Sequence, residues 1–146
     1  MYSRILVPID TTYRTDYWLK TPLQAAVGLV SKPDGLIHVL SVIPRNLLEG
    51  FYPNLYTEEI ALETKSKLND IVEKYAPNAN VSVGVVEGGI CSEILRVARE
   101  MSVDVIVMAS HGPLIKDYIL GSNAAHVALH APCSVFVVRE APSEAA

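Results

Sequence analysis

Five apolar runs recur along the chain at even spacing, each separated from the next by a segment of helical period. The runs are "RILVPI" (4–9), "LIHVLSVI" (36–43), "VSVGVV" (81–86), "VDVIVMA" (103–109) and "SVFVV" (134–138). Several are too continuously apolar to alternate in and out of water, which is the pattern of strands buried on both faces of a parallel sheet. Between them Leu23, Ala26, Val27 and Val30 fall at i, i+3, i+4 and i+7. Ile60, Thr64, Leu68, Ile71 and Tyr75 mark a second helix, Ile94, Val97, Ala98 and Met101 a third, and Ala124, Val127 and Ala128 a fourth. The alternation β-α-β-α-β-α-β-α-β predicts one α/β domain with a five-stranded, mainly parallel sheet and helices on both faces.

Local signals place the boundaries. Thr21-Pro22-Leu23-Gln24 reads as an N-cap, a proline at N1 and a glutamine at N3, so the first helix is expected to start there. The preceding segment, 13–20, reads equally as a helical turn or a loop. Thr57 is the expected cap of the second helix, with Glu58 and Glu59 favourable in its first turn. Residues 44–57 form one long irregular insertion carrying Leu47, Leu48, Phe51, Tyr52, Leu55 and Tyr56. That apolar content implies packing against the chain's own domain, a ligand or a partner. The domain is expected to span 1–140, with 141–146 a flexible tail.

The bulk properties narrow the class. The chain has 146 residues, half of them hydrophobic, which suits one folded domain rather than a disordered segment. A net charge of −4 argues against generic binding to nucleic acid or to anionic membrane. No apolar run reaches the roughly 18 residues of a membrane span. "MYSRILVPID" enters a strand at once, and two cysteines, Cys91 and Cys133, do not make a secreted disulfide framework. A cytoplasmic domain is the expectation.

Open α/β sheets bind ligands beyond the carboxyl ends of their strands, where the strand order reverses. The loops that follow strands therefore carry the candidates. Asp10 ends "ILVPI"; its carboxylate suits ribose hydroxyls or an amino group, and equally suits a turn. Gly121-Ser122-Asn123 opens the fourth helix, where free N–H groups and partial positive charge attract phosphate. The same residues also suit a plain helix cap. Gly112, in the same connection, makes a loop that can wrap an anion. His126 and His130 stand at i, i+4, a spacing that can hold zinc, but no third ligand accompanies them. Cys91, near a helix start, reads either as an activated thiol or as a buried structural one. Neither the GxxxxGK[ST] nor the GxGxxG phosphate motif is present, nor is a GxSxG elbow.

These residues resemble the universal stress protein family over nearly the whole chain. "ILVPID" is similar to the family's first strand and its Asp, and "EGGICSEILRVA" to the segment leading into its third helix. "VIVMASHG…LGSNAAHVALHAPCSVFVVR" is similar to its C-terminal signature. ATP-binding members carry G-x2-G-x9-G-[ST]. This chain has Ala109 at the first glycine, and only residues 113–120 between Gly112 and Gly121. That form resembles the F- and G-type nucleotide-binding subgroup.

The resemblance implies the strand order 3-2-1-4-5, with the crevice between strands 1 and 4. It implies an adenine nucleotide, ATP or ADP or else AMP, accompanied by Mg²⁺. Pro8 and Asp10 would flank the adenosine, and Val42 would contact the adenine. Met108 and Ala109 would line the base and ribose, and His111 and Gly112 would lie beside the phosphates. Gly121, Ser122 and Asn123 would bind phosphate through amides and side chains. Lys116, outside the family match, reads either as a solvated loop lysine or as a cation within reach of a terminal phosphate. The resemblance also implies a homodimer built through strand 134–138. Three functions follow: a nucleotide-binding stress-response or signalling protein that works on an unnamed protein partner, a slow ATPase or self-phosphorylating protein, and a nucleotide-independent interaction module. For turnover, Asp10, Ser110 and Ser122 are the groups that could help hold Mg²⁺.

Overall fold

The computed structural model describes residues 1–12, 16–44, 58–110 and 120–139. Within them the elements run β1 (Arg4–Pro8), α1 (Asp16–Leu29), β2 (Leu36–Pro44), α2 (Glu58–Tyr75), β3 (Val81–Gly88), α3 (Ile90–Glu100), β4 (Val105–Ala109), α4 (Ser122–His130) and β5 (Ser134–Val138). The strands form one five-stranded sheet in the order β3-β2-β1-β4-β5. Every neighbouring pair is parallel.

Alternation along the strands divides the core into two layers. Ile5, Val7 and Ile9 of the β1 segment and Val105 and Val107 of β4 meet Leu19, Leu23 and Ala26 of α1 and Leu68 and Ile71 of α2. Leu6, Ile106 and Met108 point the other way, onto Ile94, Leu95, Val97 and Ala98 of α3 and Ala124 and Val127 of α4. The central strands are thus covered on both sides, which is why their sequences are continuously apolar. β5 closes one edge of the sheet and is only partly covered, with Phe136 exposed to 44%.

The start of α1 departs from the sequence expectation. The helix begins at Asp16, so Pro22 lies inside it and Thr21 is not its cap. Trp18, Leu19, Pro22, Leu23 and Ala26 are all buried along one stripe. That stripe begins a full turn before Pro22, and its burial outweighs the missing proline N–H, which costs an isolated helix about 3 kcal/mol. Thr21 instead donates its Oγ1 hydrogen to the Tyr17 carbonyl one turn back, at 2.5 Å. In α2 the first-turn Glu58 and Glu59 stand as expected. Thr57 and the 45–57 part of the insertion lie outside the described residues, as does the tail.

Candidate functional site

The strand order reverses between β1 and β4. β1 pairs with β2 on one side and with β4 on the other, and the connections leave in opposite directions. A cavity of about 500 Å³ lies beyond the carboxyl ends of these strands. Eight of the ten residues assigned to nucleotide contact line it, namely Pro8, Asp10, Val42, Met108, Ala109, Gly121, Ser122 and Asn123, and so does Ser110. Asp10 and Gly121 stand far apart in the chain, and only the sheet order brings them to one opening. His111 and Gly112 lie outside the described residues, as does Lys116.

One wall is acidic. Asp10 is exposed, and its Oδ1 accepts from the Thr12 N–H at 2.9 Å and from Thr12 Oγ1 at 2.6 Å. This Asx-type turn holds the carboxylate through Oδ1 at the rim of the cavity. Asp10 is also the only ionisable side chain among the described residues of the lining.

The opposite wall is built on main-chain groups. Gly121 is the N-cap of α4, with no side-chain cap hydrogen bond. Its own N–H is engaged, donating to the Ser110 carbonyl at 2.7 Å. Gly121 therefore supplies closeness rather than a donor, and the first-turn amides left for an anion are those of Ser122, Asn123 and Ala124. Ser110 is in turn anchored by its own N–H to the Val138 carbonyl at 2.9 Å. Its Oγ is fully buried and has no hydrogen-bond partner among the described residues.

A third polar feature comes from β2. The Ile9 N–H donates to the Leu40 carbonyl at 2.8 Å, so the main-chain groups of Leu40 face β1. Alternation turns those of Val42 the same way. The β1 register ends at Pro8 opposite Leu40, so among the described residues the N–H and C=O of Val42 have no strand partner on that side.

Sequence reasoning missed part of the lining. Thr12 and the buried Ser41 and Trp18 also line the cavity. The Asp10-Thr11-Thr12 pattern was a usable turn signal for Thr12. Trp18 carries none, because the sequence of segment 13–20 reads equally as a helical turn or a loop. The activated reading of Cys91 is corrected: partial burial raises its thiol pKa, so it stays protonated at neutral pH. Burial pushes the Cys133 thiol up as well. The rings of His126 and His130 lie 4.5 Å apart. Among the described residues, no His, Cys, Asp or Glu joins them to make a three-ligand metal cluster.

The family profile described as "Universal stress protein family" matches residues 1–139. The chain belongs to the universal stress protein family. It is 29% identical over 145 residues to universal stress protein G of Shigella flexneri, covering 95% of this chain and all of the relative. Solved structures share the fold. A hypothetical protein whose biochemical function was assigned from its structure superposes with a TM-score of 0.76, at 24% identity over 97% of this chain and 98% of that one. The universal stress protein of Archaeoglobus fulgidus in complex with dAMP gives a TM-score of 0.66, at 21% identity over 93% and 97% of the two chains. A universal stress protein in complex with cAMP gives 0.66, at 17% identity over 96% and 98%. No helix among the described residues is long and apolar enough to cross a membrane.

Proposed function

We propose that this universal stress protein binds an adenine nucleotide, ATP or ADP with AMP also accommodated, and acts in stress response or signalling through a nucleotide-dependent conformation. The observation that carries this reading is one cavity with three differently built walls. Adenine presents an N6 donor beside a ring-nitrogen acceptor. The paired C=O and N–H of Val42 complement that edge. Asp10 is placed to accept from ribose hydroxyls and is disfavoured beside phosphate, because like charges repel. The α4 amides and the small residues Ala109 and Gly121 suit the phosphates. Mg²⁺ accompanying the phosphates would find hydroxyl ligands in Ser110 and Ser122. Its chemistry there would be to neutralise phosphate charge. The relatives solved with dAMP and cAMP support the nucleotide class.

The reading includes a cytoplasmic protein that pairs through the edge strand 134–138, where Phe136 is 44% exposed. Light scattering at micromolar concentration should give a dimer mass; a monomer would count against that pairing. Calorimetric titration with Mg-ATP at tens of micromolar protein should show saturable binding. Native mass spectrometry of the gently purified protein should show which nucleotide is retained. A flat titration together with an empty spectrum would end the nucleotide reading.

A further inference from the structure

Cys91 lies in the first turn of α3 and does not line the cavity, yet it touches a residue that does. Its Sγ is 3.3 Å from Asn123 Oδ1 and 3.8 Å from the Asn123 carbonyl oxygen. Asn123 lies in the first turn of α4 and lines the cavity. An asparagine amide is planar, with oxygen and NH₂ pointing apart, so whatever fixes the oxygen also aims the donors. A protonated thiol is a donor and holds the oxygen. The Asn123 NH₂ is then turned away from Cys91, and the residue carrying it stands in the first turn of α4, whose amides have no intrahelical acceptor.

A second observation marks the same place. Ser110 follows Met108 by two residues on the β4 segment, so alternation turns its side chain to the α3–α4 side of the sheet. Its Oγ is buried and has no partner among the described residues, while Ser110 itself lines the cavity. A buried hydroxyl without a partner costs stability unless something else engages it. An oxyanion at the start of α4 would do so.

The geometry points to Cys91 as a positioning residue of the anion subsite, its thiol fixing Asn123 so that the NH₂ joins the α4 amides on one phosphate of the ligand. The role rests on the nucleotide reading above. It makes no use of thiol nucleophilicity, and the raised pKa of Cys91 suits a donor better than a nucleophile. Serine can replace the thiol as donor; alanine cannot.

The test compares Cys91→Ser, Cys91→Ala and Asn123→Ala by calorimetric titration with ATP, AMP and adenosine. Cys91→Ala should weaken ATP and AMP by about threefold to tenfold and leave adenosine unchanged. Cys91→Ser should restore wild-type affinity. In an Asn123→Ala background, Cys91→Ala should add nothing further. Equal phosphate affinity in wild type and Cys91→Ala overturns the role, and so does a parallel loss of adenosine binding, which marks a general packing defect. A second readout needs no nucleotide. In ligand-free protein, the NMR signals of the Asn123 side-chain NH₂ should shift in Cys91→Ala and stay in place in Cys91→Ser. Unmoved signals overturn the coupling even if nucleotide binds. Moved signals with no nucleotide binding by the wild type would instead place the failure in the functional reading.

Discussion

At the amino end of the sheet the main chain is tied from strand to loop, whereas at the carboxyl end polar groups are left facing a cavity. Asp104 Oδ2 accepts from the N–H groups of Ser3 and Arg4 at 2.8 and 2.9 Å. Arg4 Nη1 donates to the Met101 carbonyl at 2.9 Å. The Ser31 and Leu36 N–H groups donate to the Tyr2 and Ser3 carbonyls at 2.7 and 2.8 Å. At the other end, among the described residues, Val42 has no strand partner on its β1 side, the first amides of α4 are open, and the buried Ser110 Oγ is unpartnered. Paired groups contribute to stability, while unpaired ones cost it. One end of the sheet therefore holds the fold together, and the other holds binding capacity in reserve.

Substitutions at the two ends should separate affinity from stability. The largest effect is expected for Gly121→Val. Gly121 is buried and lines the cavity, so an added side chain would enter the place proposed for a phosphate. Calorimetry should show about a hundredfold loss of ATP affinity, with circular dichroism showing a folded protein. Unchanged affinity would remove α4 from the site. Next comes Asp10→Ala, expected to weaken ATP and adenosine alike by about tenfold. A loss confined to ATP would move Asp10 from the ribose to the phosphates.

Asp104→Asn should do the reverse, lowering the melting temperature by a few degrees and leaving ATP affinity alone. The N–H groups of Arg4 and Ser3 hold the Asp104 carboxyl below its ordinary value of 3.8. Its folded-state pKa is depressed, so its contribution is present above that value and is lost as pH falls below it. The melting curves of wild type and variant should therefore converge in acid, and a constant gap would contradict the account. The smallest effect belongs to His38, whose Nδ1 lies 2.7 Å from Ser82 Oγ. Burial lowers its pKa below 6.5. The unfolded chain then binds more protons just below pH 6.5, and stability falls as pH drops through that region. His38→Gln should flatten this slope in pH-dependent denaturation, without touching nucleotide binding.

The parts of this protein legible in its sequence share one property: they depend on residues close together in the chain. Strand runs, the buried positions of α3 and the helix start at Gly121-Ser122 follow from period and local turn chemistry. Pro22 shows where local rules fail, because the buried stripe beginning at Trp18 and Leu19 outweighed a helix-start signal that was correct on its own terms. The candidate site divides along the same line. The residues alone identified Asp10 and the Gly121–Asn123 turn as groups with suitable chemistry, and the family resemblance added Val42 and placed them together.

What the sequence by itself determined is the set of elements and the residue types at their ends, since periodicity and capping act within a few residues. What only the tertiary structure decided is which groups are already occupied. The Gly121 N–H belongs to the Ser110 carbonyl, the Asn123 oxygen faces Cys91, and Oδ1 of Asp10 is held by Thr12. A hydrogen bond engages one partner at a time in a fixed direction. The donors and acceptors left for a ligand can be counted only after the strand order has set every other pairing.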